Sequence, residues 1–137
     1  MPPSNSRIAL SLLLAACLVV IAAYRQPARA ADAAARGRIL FLRCASCHDV
    51  SDQKSAKIGP NLLGVVGRRA ASQAGYPYSA ALRAQDIVWD APPLDRWLTD
   101  PNSVAPGTAM AFAGIADAAD RQALIAYLAR RPGGSAP

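Results

Sequence analysis

Cys44-Ala45-Ser46-Cys47-His48 is the segment whose residue types and spacing could do chemistry. Two thiols three positions apart sit about one helical turn apart, and each can add to a vinyl group of a haem. A histidine directly after the second thiol then lies under the iron as an axial ligand. A pair of cysteines also suits a small disulfide loop, a thiol–disulfide redox pair or half a metal site. A zinc site needs further Cys or His ligands. Cys17 lies in an apolar N-terminal run, and the rest of the chain holds no other cysteine or histidine. A thioredoxin-like pair belongs in a βαβ setting, and no such pattern is present. Covalent haem attachment is the chemistry that fits.

Met110 is the second candidate ligand. It is the only methionine after the start residue. A lone methionine ordinarily fills core space. This one ends a turn-bearing loop, Pro106-Gly107-Thr108-Ala109-Met110, and no other residue offers a comparably soft sixth ligand. A thioether opposite a histidine raises the reduction potential. Both axial positions of the iron would then be filled, which favours outer-sphere electron transfer. A peroxidase or gas-binding protein needs an open or labile sixth position.

The elements that must position these groups are helices and loops. Asp32 to Arg43 reads as a helix, with Ile39, Leu40 and Leu42 as its apolar positions. Residues 49–63, containing Gly59-Pro60, read as mostly loop. Ser79 is placed to cap a short helix reaching Ala84. Pro92-Pro93 opens another over about Leu94 to Thr99, which Pro101 closes. Pro101 to Gly114 reads as loop again, with a turn at Pro106-Gly107. The last helix starts at an Asp117 cap and carries Leu124, Ile125, Tyr127 and Leu128 on its apolar face. Arg130 and Arg131 suit its end, and Pro132-Gly133-Gly134 stops it. No strand pattern or repeat stands out. The prediction is all-α, with long loops that need something rigid to pack on.

Residues 1–30 read as an export segment. Arg7 precedes an apolar run from Ile8 to Ala23, and Ala28-Arg29-Ala30 matches a signal-peptidase site. Cleavage there leaves residues 31–137 as a single domain in the periplasm. The run is also near the lower limit for a spanning helix, so an uncleaved leader would tether the domain through residues 8–24. Leu14-Ala15-Ala16-Cys17 resembles a lipobox as well, although the apolar run continues past the cysteine. The formal net charge of +6 includes Arg7, Arg25 and Arg29. Without them, twelve basic residues face nine acidic ones. No clustered basic stripe of the kind a nucleic-acid binder carries is present.

Together these residues resemble a class I cytochrome c of the mitochondrial and bacterial c2 type over residues 37–131. Besides the haem motif, the matching runs are Ile58-Gly59-Pro60-Asn61-Leu62, Gly64, Gly67-Arg68, Pro106 to Met110, Phe112 to Ile115 and Leu124 to Leu128. The resemblance implies an all-α fold wrapped around one covalent haem c, with His48 and Met110 as iron ligands. It implies that the Pro60 carbonyl orients His48, and that Arg68, Tyr78 and Trp89 bind the inner propionate. Thr108 resembles the hydroxyl beside the distal ligand. Leu62 and Leu98 would contact the haem faces, Phe112 would cover its edge, and Leu124, Tyr127 and Leu128 would pack the last helix on the first. Such a protein is an electron carrier and not an enzyme. A monomer is expected, with a quinol–cytochrome c reductase-like donor and an oxidase or reaction-centre-like acceptor as partners. The same fold would also serve as the electron-entry subunit of a periplasmic dehydrogenase.

Four departures from the family pattern carry expectations. Trp97 stands where a tyrosine is usual, and Leu82 where Asn is common, which predicts a drier distal side. Gly37 and Phe41 lie one residue closer to Cys44 than the family's Gly and aromatic, so Leu40 is the candidate for the aromatic's place. The loop from Pro101 to Gly114 has no charged residue, and only Arg43, Lys54 and Lys57 resemble the family's basic docking ring. Electrostatic steering should therefore be weak. The absence of lysine from that loop should also hinder replacement of Met110 by lysine at alkaline pH.

Overall fold

The first helix, α1, runs over residues 31–41 in a computed structural model that describes residues 31–52 and 57–130. The leader, Lys54, Arg131 and the Pro132-Gly133-Gly134 stop lie outside the described residues. The described residues from Ala33 onward form one compact unit. The buried face of α1 is Ala34, Gly37 and Phe41, the i, i+3, i+7 stripe of an amphipathic helix. Ile39 and Leu42, two of the apolar positions of this segment, are 66% and 70% exposed.

Phe41, and not Leu40, takes the aromatic's place. Its ring lies 5.5 Å from that of Tyr127. The turn that follows is tightly wound. Leu42, Arg43 and Cys44 each donate to the carbonyl three residues back, at 3.1, 3.1 and 2.8 Å. Such bonds wind the chain with three residues per turn and not 3.6, so it comes round to the cysteine sooner.

Two short helices follow a long irregular stretch. Helix α2 spans Ala80–Arg83, and the Ser79 hydroxyl accepts from the Leu82 N–H, as predicted. Helix α3, Ala91–Thr99, starts three residues earlier than predicted, because Pro92 and Pro93 lie inside its first turn. Proline is tolerated there, since the N–H it lacks has no partner within the helix. Leu94, Trp97 and Leu98 form its buried face. Pro101 does more than end α3. It opens a further turn, α4, Pro101–Val104, where only loop was expected. The carboxylate of Asp100 caps α4 by accepting from the Asn102 N–H at 3.0 Å.

Helix α5, Ala118–Ala129, starts at the predicted Asp117 cap and buries Ala123, Leu124, Ile125, Tyr127 and Leu128. It packs on α1 through Gly37, where an added Cβ would come within 2.0 Å of the Ala123 carbonyl oxygen. It also packs on α3, where the Arg121 guanidinium meets both carboxylate oxygens of Asp95, at 2.8 and 3.3 Å. The same arginine donates to the carbonyls of Ile115 and Ala116, tying down the chain entering α5. Among the described residues the regular structure is helical, with one isolated bridge between Arg69 and Val88.

Candidate functional site

The helices and loops surround a cavity of about 330 Å³. All thirteen residues singled out in the sequence line it: Cys44, Cys47, His48, Pro60, Leu62, Arg68, Tyr78, Trp89, Trp97, Leu98, Thr108, Met110 and Phe112. Phe41, Val65, Leu94, Leu124 and Leu128 complete its apolar wall. Val65 was not singled out, and its setting between Gly64 and Gly67 gave little sign of burial. Leu94 lies one helical turn before Leu98, so the spacing of α3 could have placed it.

The turn after α1 sets the spacing of the three motif residues. The N–H groups of Cys47 and His48 both donate to the Cys44 carbonyl, at 3.0 and 2.8 Å. The two thiols are not joined to each other as a disulfide. Burial pushes the Cys44 thiol above its ordinary pKa, with Arg43 only partly opposing this. A reactive redox dithiol needs the opposite shift, since the thiolate is the nucleophile. Among the described residues, no three His, Cys, Asp or Glu side chains converge as a metal site.

His48 is buried, and its Nδ1 donates to the Pro60 carbonyl at 2.8 Å. Burial lowers the pKa of the imidazole; the Pro60 bond opposes this, and the charge of Lys57 adds to the lowering. The ring is therefore neutral at pH 7, with its proton on Nδ1 and the lone pair on Nε2, the form a metal ligand requires. Lys57 contributes in a way the sequence did not reveal. Its ammonium donates to the carbonyls of Ala45 at 2.6 Å and His48 at 2.9 Å. It clamps the attachment turn while Lys57 itself stays exposed.

Arg68, Tyr78 and Trp89 are among the polar groups of the wall. The guanidinium of Arg68 donates to the carbonyls of Leu63 and Asn61, at 3.1 and 2.9 Å. Those two bonds do not exhaust its five N–H donors. Burial raises the Tyr78 pKa, so its hydroxyl stays protonated. Trp97 packs on Trp89 with ring centroids 5.2 Å apart. Arg43 places its guanidinium 6.0 Å over the Phe112 ring.

Thiols, a neutral imidazole, a thioether, apolar walls and a guanidinium on one cavity fit a covalently held haem with its propionates. The sequence model described as Cytochrome c matches residues 34–131. The chain belongs to the cytochrome c family. Similar proteins include cytochrome c2 of Rhodomicrobium vannielii, 38% identical over 106 residues, covering 77% of this chain and 85% of that one. Cytochrome c of Gibberella zeae is 45% identical over 94 residues, covering 68% and 89%. Among solved structures, cytochrome cH from Methylobacterium extorquens aligns with a TM-score of 0.64 at 41% identity, covering 69% of this chain and 95% of that one. This cytochrome has the all-α class I fold, and as a family member it carries covalent haem c and transfers electrons to and from redox partners; it is not an enzyme. No described helix is long and apolar enough to cross a membrane.

Proposed function

We propose that the chain carries one haem, bound through Cys44 and Cys47 with His48 and Met110 as axial ligands, and shuttles single electrons between respiratory or photosynthetic complexes. The donor is a quinol-oxidising complex, and the acceptor is a terminal oxidase or a reaction-centre-like partner. The work is done in the periplasm, after export directed by residues 1–30. The observation that carries this reading is the shared cavity: the neutral imidazole of His48, the thioether of Met110 and both thiols line it together.

Bound haem supplies the one-electron couple. The chain's own residues set its conditions. Pro60 holds the His48 ring in one tautomer and orientation. Leu62, Leu98, Trp97 and Leu82 keep water from the cavity, and a dry site reorganises little when an electron arrives. Arg68, Tyr78 and Trp89 would hold a haem propionate, the Arg68 guanidinium compensating its charge. Phe112, with Arg43 over its ring, would shield a bound haem from solvent on that side of the cavity.

A spectroelectrochemical titration of the purified holoprotein tests the proposal. The expected result is a single one-electron Nernstian wave, with the long-wavelength thioether–iron absorption band in the ferric form. Loss of that band in Met110→Ala would assign the ligand. A ferric form that lacks the band and binds added ligands at once would contradict it.

A further inference from the structure

The chain brings Met110 to the cavity on a loop with no charged side chain from Pro101 to Gly114. What holds that loop is one backbone turn and a series of side-chain to backbone bonds. Ala105-Pro106-Gly107-Thr108 is a β-turn, closed by Thr108 N–H donating to the Ala105 carbonyl at 2.9 Å, with Gly107 at φ +85°. Pro at the second position and a positive φ at the third define type II. The N–H of the third residue finds no acceptor within such a turn, and because Gly107 is exposed it is open either to water or to a nearby side chain.

Asn102 supplies the acceptor. Its side-chain carbonyl takes the Gly107 N–H at 3.0 Å. Asn102 is itself anchored, because the Asp100 carboxylate accepts its backbone N–H at 3.0 Å. The base of α4 is fixed by burial: Ala105 is 0% exposed, and Pro101 is among the most deeply buried residues. From Gly107 the chain has three residues to reach Met110, whose N–H meets the Thr108 hydroxyl at 3.4 Å.

We propose that Asn102 is a positioning residue whose side chain latches the Pro106–Gly107 turn and so holds Met110 at the cavity. It rests on the reading of Met110 as the sixth ligand. The latch acts on how often the thioether lets go and leaves the attachment of the haem unaffected. Asn102 is exposed, so replacing it leaves the core intact.

The test uses ferric holoprotein and imidazole as the competing ligand. At saturating imidazole the observed rate is the rate of thioether release. Asn102→Leu and Asn102→Ala remove the acceptor, whereas Asn102→Asp keeps one. Release is expected to be about fivefold faster in the Leu and Ala variants, the worth of one neutral hydrogen bond, and within about twofold of wild type in the Asp variant. Ser103→Ala is the control. It removes the bond from the Ser103 hydroxyl to the Asp100 carbonyl in the same turn and leaves the latch intact. Unchanged rates in Asn102→Leu and Asn102→Ala would overturn the proposal. So would an equal acceleration in Asn102→Asp or Ser103→Ala, which would mean general loosening of α4. A wild-type ferric protein with no thioether–iron band and no release-limited step would instead overturn the ligation reading, and the latch with it.

Discussion

Gly59 lies against the His48 ring so closely that a Cβ at position 59 would come within 2.5 Å of Cε1 and 2.6 Å of Nδ1. The Gly59 N–H donates to the Cys47 carbonyl at 2.8 Å, and the next residue's carbonyl takes the His48 Nδ1 proton. Two adjacent residues thus fix both the position and the tautomer of the imidazole. Real Cβ atoms do not approach this closely, and the neighbouring atoms belong to a buried ring and to backbone.

Gly59→Ala should therefore displace the imidazole and weaken its bond to Pro60. The expected cost is about 1–3 kcal/mol, the range for overpacking a filled site. Denaturant unfolding of the holoprotein measures it, and a shifted reduction potential should accompany the loss. A change of under about 0.5 kcal/mol, the ordinary surface range, would contradict the close packing.

Gly37→Ala should be at least as damaging. The added methyl would meet the Ala123 carbonyl oxygen at 2.0 Å and the Tyr127 Cβ at 2.7 Å, so α1 and α5 must separate. About 3 kcal/mol of destabilisation is expected, with the Phe41–Tyr127 contact loosened as well. Near-UV circular dichroism, which reports the setting of Tyr127, should change along with the unfolding midpoint.

The cap of α5 gives a pH dependence. The Asp120 N–H donating to the Asp117 carboxylate is the main reason that carboxyl sits below its ordinary pKa. A carboxyl held lower in the folded state stabilises the fold above its unfolded pKa, about 3.9. That contribution disappears as pH falls through the lower folded value. The stability of wild type relative to Asp117→Asn should be constant near neutrality and decline below about pH 4. A difference independent of pH would show that the carboxylate's charge does not matter to the cap.

Association with redox partners should depend little on salt. The loop from Pro101 to Gly114 carries no charge, which leaves few basic side chains, Arg43 over Phe112 and Lys57 at the attachment turn, near the site. Stopped-flow electron transfer with a quinol-oxidising complex should change by less than about threefold between roughly 10 and 200 mM salt. A fall of about tenfold or more would reveal steering by charges elsewhere on the surface.

Much of the site was legible because the residues carrying it are chemically distinctive. Two thiols beside the only histidine, one methionine, and Gly-Pro runs at characteristic spacing all converge on the cavity. Helix α5 was legible from its cap and apolar face. What was not legible depends on geometry that residue types do not encode. The identity of the α1 aromatic turned on i→i−3 bonds after Phe41, which shift the register by part of a turn. Helix α4 was hidden because Pro101 reads equally well as the end of one helix or the start of another. The partners of Lys57 and the Asp95–Arg121 pair are tertiary contacts between segments distant in sequence. No local pattern announces them.

The central claim is that Cys44 and Cys47 bind one haem covalently, and the intact mass of protein from a host with a working haem-maturation system tests it most directly. The expected mass is that of the polypeptide plus one haem, with no titratable thiol at Cys44 or Cys47. Because residues 1–30 either accompany that mass or do not, the same spectrum reports whether the leader is cleaved. A bare polypeptide from that host, with both thiols free or joined as a disulfide, would contradict the account.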